Sequence, residues 1–357
     1  MRWFKFASVI GFALAVGLVM ALYHEQSQPN VMWGKQWGTV GEEWAGSVAV
    51  DGQGNVYVSG STEGNLFGKN QGGNDIFVIK LDSNGQVLWS KQFGTLEDDG
   101  GPELCVDALG NVYMTTATRG SWFGKNSGGR DIVLLKLSND GQLIWGKQLG
   151  TEGDEVATGI AVDSQGYVYV VGITTGNLFK ENKTLHYEGF LVKFASSGEL
   201  IWGRQFENSI FGVTIDNQEK IYIIGEHNSD SLIAKFTSDG VLVWKQVISG
   251  KSTEEGKILE SERFNSIKLY EDGNIYVTGA IDVWVDENAL VSISDAFIAK
   301  HSGNDGKRIW VRRIKSEGEG ETPESFEDEN EFWDVAIDEQ GNAYAIGFEG
   351  GGLSATI

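Results

Sequence analysis

Two short stretches hold enough carboxylates to do chemistry. GKQLGTEGDEVATGIAVD, residues 146–163, carries four acidic residues, and GTLEDDGG, residues 94–101, carries Glu97, Asp98 and Asp99. Carboxylates this close can coordinate a divalent cation, exchange protons with a substrate, or keep a loop solvated. Neither stretch has the alternating Asp/Asn spacing of a calcium loop. Histidine is scarce, with four in 357 residues, and no H-x-x-x-H or H-E-x-x-H spacing occurs. His24 flanks an apolar N-terminal run, while His186 and His227 lie near loops. His301 stands where equivalent segments have Leu81, Leu137, Phe194 and Phe236, which marks it as a core or edge substitution. No G-x-S-x-G or phosphate-binding loop is found, and the single Cys105 permits no intrachain disulfide. The sequence therefore assigns no catalytic residue, no metal and no cofactor.

The acidic stretches are instances of a repeat. GTEGDE at residues 150–155 has counterparts in GTVGEE at 38–43 and GTLEDD at 94–99. Around them recurs a longer unit, seen as AVDGQGNVYVSG followed by DIFVIKLDSNGQVLWSKQFGT in residues 49–95. Further copies follow along the chain, the last two weaker. Each unit predicts four short strands, here A to D, rich in β-branched and aromatic residues and separated by Asp/Asn/Ser/Gly turns. Runs such as VYVVG and IYIIG are apolar at successive positions, so strand B is expected to be covered on both faces.

Spacing distinguishes the two ends of the unit. The A–B hairpin, from Asp51 to Gly60, Asp163 to Gly172 and Asp216 to Gly225, is nine residues each time. The C–D hairpin, from Lys80 to Trp89, Lys136 to Trp145, Lys193 to Trp202 and Lys235 to Trp244, is also nine, and only Lys300 to Trp310 adds one. Length variation is confined to the B–C loops and D–A crossovers. In an up-and-down four-stranded sheet these lie together at the end opposite the hairpins, which predicts one plain and one elaborated face.

Forty-nine Gly and three Pro suit many tight hairpins better than long helices. Twelve Trp, 18 Phe and 10 Tyr supply a large aromatic core. A formal charge of −22 leaves no cationic surface to replace phosphate counterions, so nucleic acid is excluded as a partner and a basic or cation-linked one is favoured. At the N-terminus, Arg2 and Lys5 precede an uncharged run at residues 6–23, followed by HEQSQPN. This is the order of a secretory signal, with Val19 and Ala21 placed for cleavage, and an uncleaved anchor is the alternative. Both readings make residues 1–29 an export segment and residues 30–357 one exported domain, periplasmic, cell-surface or secreted, with membrane contact only through an uncleaved anchor.

With D-x-x-G-N-V-Y-V-x-G, D-x-F-x-x-K-L-D-x-x-G-x-x-L-W and GKQxGT in register over about residues 31–347, the chain resembles the bacterial SBBP β-propeller repeat family. The resemblance implies an all-β propeller of four-stranded blades, usually exported, and names no common reaction. Six blades are expected, with residues 30–38 closing the ring and residues 351–357 supplying the last strand C; a seven-bladed or truncated ring is the alternative. Thr116 replaces the strand B Gly, and Tyr270 replaces the strand A Asp. The segment D-x-x-G-x-x-x-W is also similar to the docking motif of quinoprotein propellers.

Trp33, Trp89, Trp145, Trp202, Trp244 and Trp310 mark equivalent points, which suits docking between blades, and the repeated Lys80, Lys136, Lys193, Lys235 and Lys300 suit a scaffold. The ligand-face candidates are Glu42, Glu43, Asp98, Asp99, Asp154 and Glu155 in the crossovers, with Phe67, Trp122, Phe123 and Trp284 in B–C loops. Glu254, Glu255 and the acidic run at 317–331 extend the crossover set. The expected function is a non-catalytic extracytoplasmic scaffold that binds a protein, peptide or glycan through this acidic face. A propeller lyase, hydrolase or quinoprotein with its site at the channel mouth is one alternative, and an envelope assembly scaffold is another.

Overall fold

A computed structural model of the chain describes residues 8–11, 17–25, 28–180, 187–252, 258–284, 292–314, 330–337, 341–349 and 352–356. Every regular element among them is a β-strand, and strands pair antiparallel in sequence order. No helix among the described residues is long and apolar enough to cross a membrane. The chain divides into two compact units, residues 1–206 and 207–357.

The first unit contains three full sheets of strands A to D. The first is Glu43–Val50, Val56–Thr62, Asp75–Leu81 and Val87–Phe93. The second is Asp99–Val106, Val112–Thr118, Asp131–Leu137 and Leu143–Leu149, and the third is Glu155–Val162, Val168–Thr174, Glu188–Phe194 and Leu200–Phe206. Before them, Ser8–Gly11, Gly17–Glu25 and Gln28–Trp37 form a three-stranded sheet. The segment 30–38, expected to close the last blade, thus pairs with Gly17–Glu25. An unpaired strand edge is satisfied by the nearest extended segment.

The second unit opens with a fourth full sheet, Ser209–Ile215, Ile221–His227, Asp230–Phe236 and Leu242–Ile248. A five-stranded sheet follows, Lys251–Ser252, Ile258–Leu269, Ile275–Trp284, Ser292–His301 and Arg308–Ile314. The last sheet has three strands, Glu331–Ile337, Ala343–Glu349 and Gly352–Thr356.

Within each unit the core forms where neighbouring sheets meet face to face. Tyr57, Ile76 and Val78 pack with Leu104, Val112, Met114 and Val133, and Ile132 and Leu134 pack with Ile160, Val170 and Phe190. In the second unit Ile224 and Ile233 meet Phe264, Ile267 and Val277. Strands B and C are therefore buried along their length, as in Val56–Thr62 and Asp75–Leu81. Each such aliphatic side chain contributes about 1.5–3 kcal/mol. Strand D begins half exposed, with Leu88 at 52% and Ile144 at 51%.

Thr116 departs from the repeat in a sheet whose strand A shifts register between Gly100 and Glu103. Gly60, Gly172 and Gly279 sit opposite Phe77, Phe190 and Phe297, and a Cβ there would first meet a strand A carbonyl, Trp44 O at 2.2 Å, Val156 O at 2.1 Å or Arg263 O at 1.8 Å. Thr116 sits opposite Val133, a smaller side chain, and its hydroxyl donates to Gly100 O at 2.8 Å.

Candidate functional site

At the loop end of each full sheet in the first unit, strands A, B and C place an acid, a threonine and a second acid in one row. These are Glu43–Thr62–Asp75, Asp99–Thr118–Asp131 and Glu155–Thr174–Glu188. All nine side chains are buried. Glu155 Oε1 accepts from the hydroxyls of Thr151 and Thr174, both at 2.6 Å, and Oε2 accepts from Thr151 N at 2.7 Å. Glu43 repeats this with Thr39 Oγ1 at 2.6 Å, Thr62 Oγ1 at 2.9 Å and Thr39 N at 3.0 Å. The G-T-x-x-x-E segment is thus a staple that fastens the crossover to the sheet.

The second acids anchor a glutamine from strand D. Gln148 Oε1 accepts from Trp122 N at 2.9 Å and Phe123 N at 3.2 Å, while its Nε2 donates to Gly120 O at 3.0 Å and Asp131 Oδ2 at 2.9 Å. Gln92 does the same for Leu66, Phe67, Gly64 and Asp75, and Gln205 for Phe179, Gly176 and Glu188. The sequence shows this glutamine three residues after Trp89, Trp145 and Trp202, yet only the fold shows its targets, and Gln246, two residues after Trp244, donates instead to Asp305 O. Gln148→Ala is expected to lower stability by about 2–3 kcal/mol and to speed amide exchange in residues 120–128 while the sheets stay protected. Hydrogen-exchange mass spectrometry checks this, and unchanged exchange in that loop would count against the clamp.

The acidic candidates divide into two classes. Glu43, Asp99 and Glu155 are buried, with 1%, 0% and 0% exposure, and do not reach the surface. Glu42 and Asp98 are exposed and Asp154 is half-buried. Asp154 Oδ1 accepts from Arg130 N at 2.9 Å and Asp98 Oδ1 from Asn74 N at 3.3 Å, so both also tie crossover to B–C loop. Glu254, Glu255, His186 and residues 317–329 lie outside the described residues.

Phe67, Trp122 and Phe123 pack against their own sheet or the one before it. Phe67 meets Phe77 at 5.5 Å and Trp37 at 6.1 Å between ring centres. Trp122 stacks on Phe123 at 5.3 Å and tilts against Phe93 at 6.4 Å. All three candidates are half-buried. Trp284 ends its strand opposite Ser292.

At the hairpin end, a second row crosses strands B, C and D as Tyr57–Lys80–Trp89, and again as Tyr113–Lys136–Trp145, Tyr169–Lys193–Trp202, Tyr222–Lys235–Trp244 and Tyr276–Lys300–Trp310. Each ammonium lies over its tyrosine ring, from 4.7 Å at Lys136 to 5.0 Å at Lys300. Tyr57 donates to Asp51 at 3.0 Å, and burial together with that carboxylate pushes the phenol well above its ordinary range. Asp51 also caps its own turn by accepting from Gln53 N and Asn55 N. Burial works to raise this carboxyl, but the hydrogen bonds prevail and hold it low. A tyrosine so raised is a poor general base at neutral pH, and the repetition marks the row as scaffold.

Trp33, Trp89 and Trp145 donate from Nε1 to Ser83 O, Asn139 O and Ser196 O of the following sheet at 2.8–3.0 Å. Their rings lie against Gly85, Gly141 and Gly198; Gly141 has φ +78°, and a Cβ there would meet the Trp89 ring at 2.9 Å. Arg204 covers Trp202 at 5.3 Å, and Trp310 meets Tyr276 edge-on at 5.8 Å. Trp244 lies against Gly306, but its buried Nε1 has no partner. The carbonyl at the equivalent place, Gly303 O, accepts from Lys235 Nζ at 3.0 Å. Beside it, a cavity of about 480 Å³ opens between Asp216, Lys235 and Tyr270. Lys300 pairs instead with Asp272 at 2.7 Å, which replaces the carboxylate lost at Tyr270.

His227 contacts Asn208, and His301 is fully buried. The shortened fourth unit turns from His227 into its strand C through Asn228 and Ser229, both with positive φ, in a two-residue hairpin. Among the described residues, no group of three or more His, Cys, Asp or Glu is placed to hold a metal ion.

Antiparallel sheets with the same two rows at the same two ends define the class as a β-repeat protein. The family model of the SBBP β-propeller repeat matches residues 36–68 and 144–180. Regulatory protein FlaEY of Caulobacter vibrioides (strain ATCC 19089 / CIP 103742 / CB 15) is 22% identical over 276 residues, covering 66% of this chain and 28% of that protein. The match therefore takes in little more than a quarter of that relative's length. Among solved structures, a protein of unknown function from Bacteroides caccae aligns with a TM-score of 0.49 and 11% identity, over 86% of this chain and 92% of that one. A luciferin-regenerating enzyme aligns with a TM-score of 0.42 and 13% identity, over 85% and 96%. No functional inference follows from either structure.

Proposed function

We propose that the chain is an exported, non-catalytic β-propeller scaffold that binds a protein, peptide or glycan of basic character through the loop end of its sheets. The observation that supports this reading most strongly is the bracing of that end. In the first unit, Glu43 and Glu155 fasten their crossovers and buried glutamines fix the B–C loops, while Glu42, Glu97, Asp98, Glu152 and Asp154 remain at or near the surface. A rigid frame carrying variable, mostly acidic side chains loses little conformational entropy on binding and attracts cationic groups.

Six blades fit the strand inventory. Among the described residues the last sheet has three strands, and Gln28–Trp37 has the strand D pattern. Cleavage after Ala21 would remove most of the strand that Gln28–Trp37 now pairs with, freeing it to complete that blade. Intact mass of protein recovered outside the cytoplasm checks cleavage; a mass that includes residues 1–21 would contradict it.

Peptide and glycan arrays probed with the exported protein test the binding reading. Basic peptides or amino-bearing glycans are expected to bind, and to lose binding in the variant Glu42→Gln/Asp98→Asn/Asp154→Asn. An array without hits, or hits indifferent to these changes, would sink the proposal.

A further inference from the structure

One crossover breaks the staple pattern. Thr95 and Thr118 are retained from the other repeats, but the acid between them is Asp99, one methylene shorter than Glu43 and Glu155. Asp99 Oδ2 accepts from Thr95 N at 2.5 Å, and the hydroxyls of Thr95 and Thr118 stand close enough to favour its charged form, but Oδ1 receives no hydrogen bond of ordinary geometry. Across the crossover, Asp75 Oδ2 accepts from Gln71 N and Gln92 Nε2, both at 3.1 Å, and its Oδ1 also has no partner. Both aspartates are fully buried, at 0% exposure.

A third orphan oxygen belongs to the same junction. Asn74 Oδ1 is buried without a partner, and Asn74 O accepts from Asp99 N at 2.9 Å, which ties the two acids together. The peptide of Gly94 and Thr95 runs between them. Asp75 Oδ1 lies 2.0 Å from where a Gly94 Cβ would stand, and Thr95 N holds Asp99. Burial pushes both carboxyls above their ordinary range, and the charge of Asp75 adds to the effect on Asp99. Among the described residues, neither aspartate is in an ion pair.

The equivalent junction one sheet further on carries no such defect. There Glu155 satisfies both threonine hydroxyls, and Ser127 N reaches both oxygens of Asp131, Oδ2 at 3.1 Å and Oδ1 at 3.4 Å. The unpartnered oxygens of Asn74, Asp75 and Asp99 are found at the junction that carries the shortened side chain. Buried oxygens left unpaired are costly, and two carboxylates with an amide oxygen are the ligand type of a hard cation.

We infer that Asn74, Asp75 and Asp99 form a binding site for a hard divalent cation of the calcium class, fastening the second crossover where the glutamate staple is missing. The inference stands apart from the face-binding proposal, since the three residues lie beneath that surface.

Isothermal titration of calcium chloride into the chelator-treated full chain tests it, with thermal melts alongside. Wild type is expected to bind calcium and to gain about 5 °C in Tm at saturation. Asp99→Glu restores the staple and is expected to fold at least as well, with the calcium gain gone. Asp75→Asn is expected to lose the gain as well. A wild type whose heat and Tm ignore calcium overturns the inference, as does an Asp99→Glu protein that binds calcium as tightly as wild type. The first of these outcomes would instead favour a proton shared between Asp75 and Asp99.

Discussion

Glu155→Ala is expected to lower the unfolding free energy by about 3 kcal/mol. The change leaves Thr151 N and the hydroxyls of Thr151 and Thr174 without the acceptor they now share, in a site with no exposed surface. Removing one partner of a buried network costs more than the bonds are worth, because the remaining donors stay dry. Glu43→Ala is expected to behave alike. Asp99→Ala in calcium-free buffer is expected to cost less, since Asp99 satisfies fewer donors. Denaturant unfolding with amide exchange in residues 151–176 measures the effect. A loss below about 0.5 kcal/mol for Glu155→Ala would show that the staple is incidental.

His301→Leu is expected to abolish an acid sensitivity built into the five-stranded sheet. His301 has no exposed surface; its Nδ1–H donates to Gly306 O at 3.0 Å, and Nε2 has no partner. Burial lowers its pKa from 6.5 to about 4, with the Arg308 charge acting in the same direction and the Gly306 hydrogen bond opposing. Between about pH 6.5 and pH 4 the unfolded chain takes up a proton that the folded chain refuses. Stability therefore falls as pH drops through that window, by about 3 kcal/mol over its whole width. Leucine occupies this position at Leu81 and Leu137, so the variant should fold. Near pH 7.5 the two proteins should differ by about 1 kcal/mol or less, and at pH 5 the variant should be more stable by about 1–2 kcal/mol. Melting curves from pH 4 to 8 check this, and parallel pH profiles would refute it.

Much of the fold was legible in the sequence, because a repeated hydrophobic pattern with constant hairpins leaves little freedom to its strands. The acidic crossovers were legible in position but not in orientation. Adjacent residues of a strand face opposite sides, so each pair Glu42/Glu43, Asp98/Asp99 and Asp154/Glu155 had to send one acid inward. The period-two rule was available, but the pairs read more readily as a single charged motif. The threonine four residues earlier was the further signal, since a buried carboxylate needs donors. Gln92, Gln148 and Gln205 were visible as part of K-Q and R-Q, yet their partners lie 17 to 29 residues away in loops of variable length. The aromatics Phe67 and Trp122 looked like a display because loop residues have no period to place them. The shift from Asp to Tyr270 was plain in the repeat, whereas the takeover by Asp272 depended on a turn two residues on.

The face assignment is tested most directly by titrating an oligolysine peptide into three calcium-free proteins at low and moderate salt. These are wild type, the loop-end variant Glu42→Gln/Asp98→Asn/Asp154→Asn, and the hairpin-end variant Asp82→Asn/Asp140→Asn/Glu199→Gln. Both variants remove three charges with near-isosteric amides, so net charge is matched. A loop-end binding face predicts salt-sensitive affinity that falls about tenfold or more in the loop-end variant and stays near wild type in the hairpin-end variant. Equal losses in the two variants would mean that only net charge matters and would contradict the assignment.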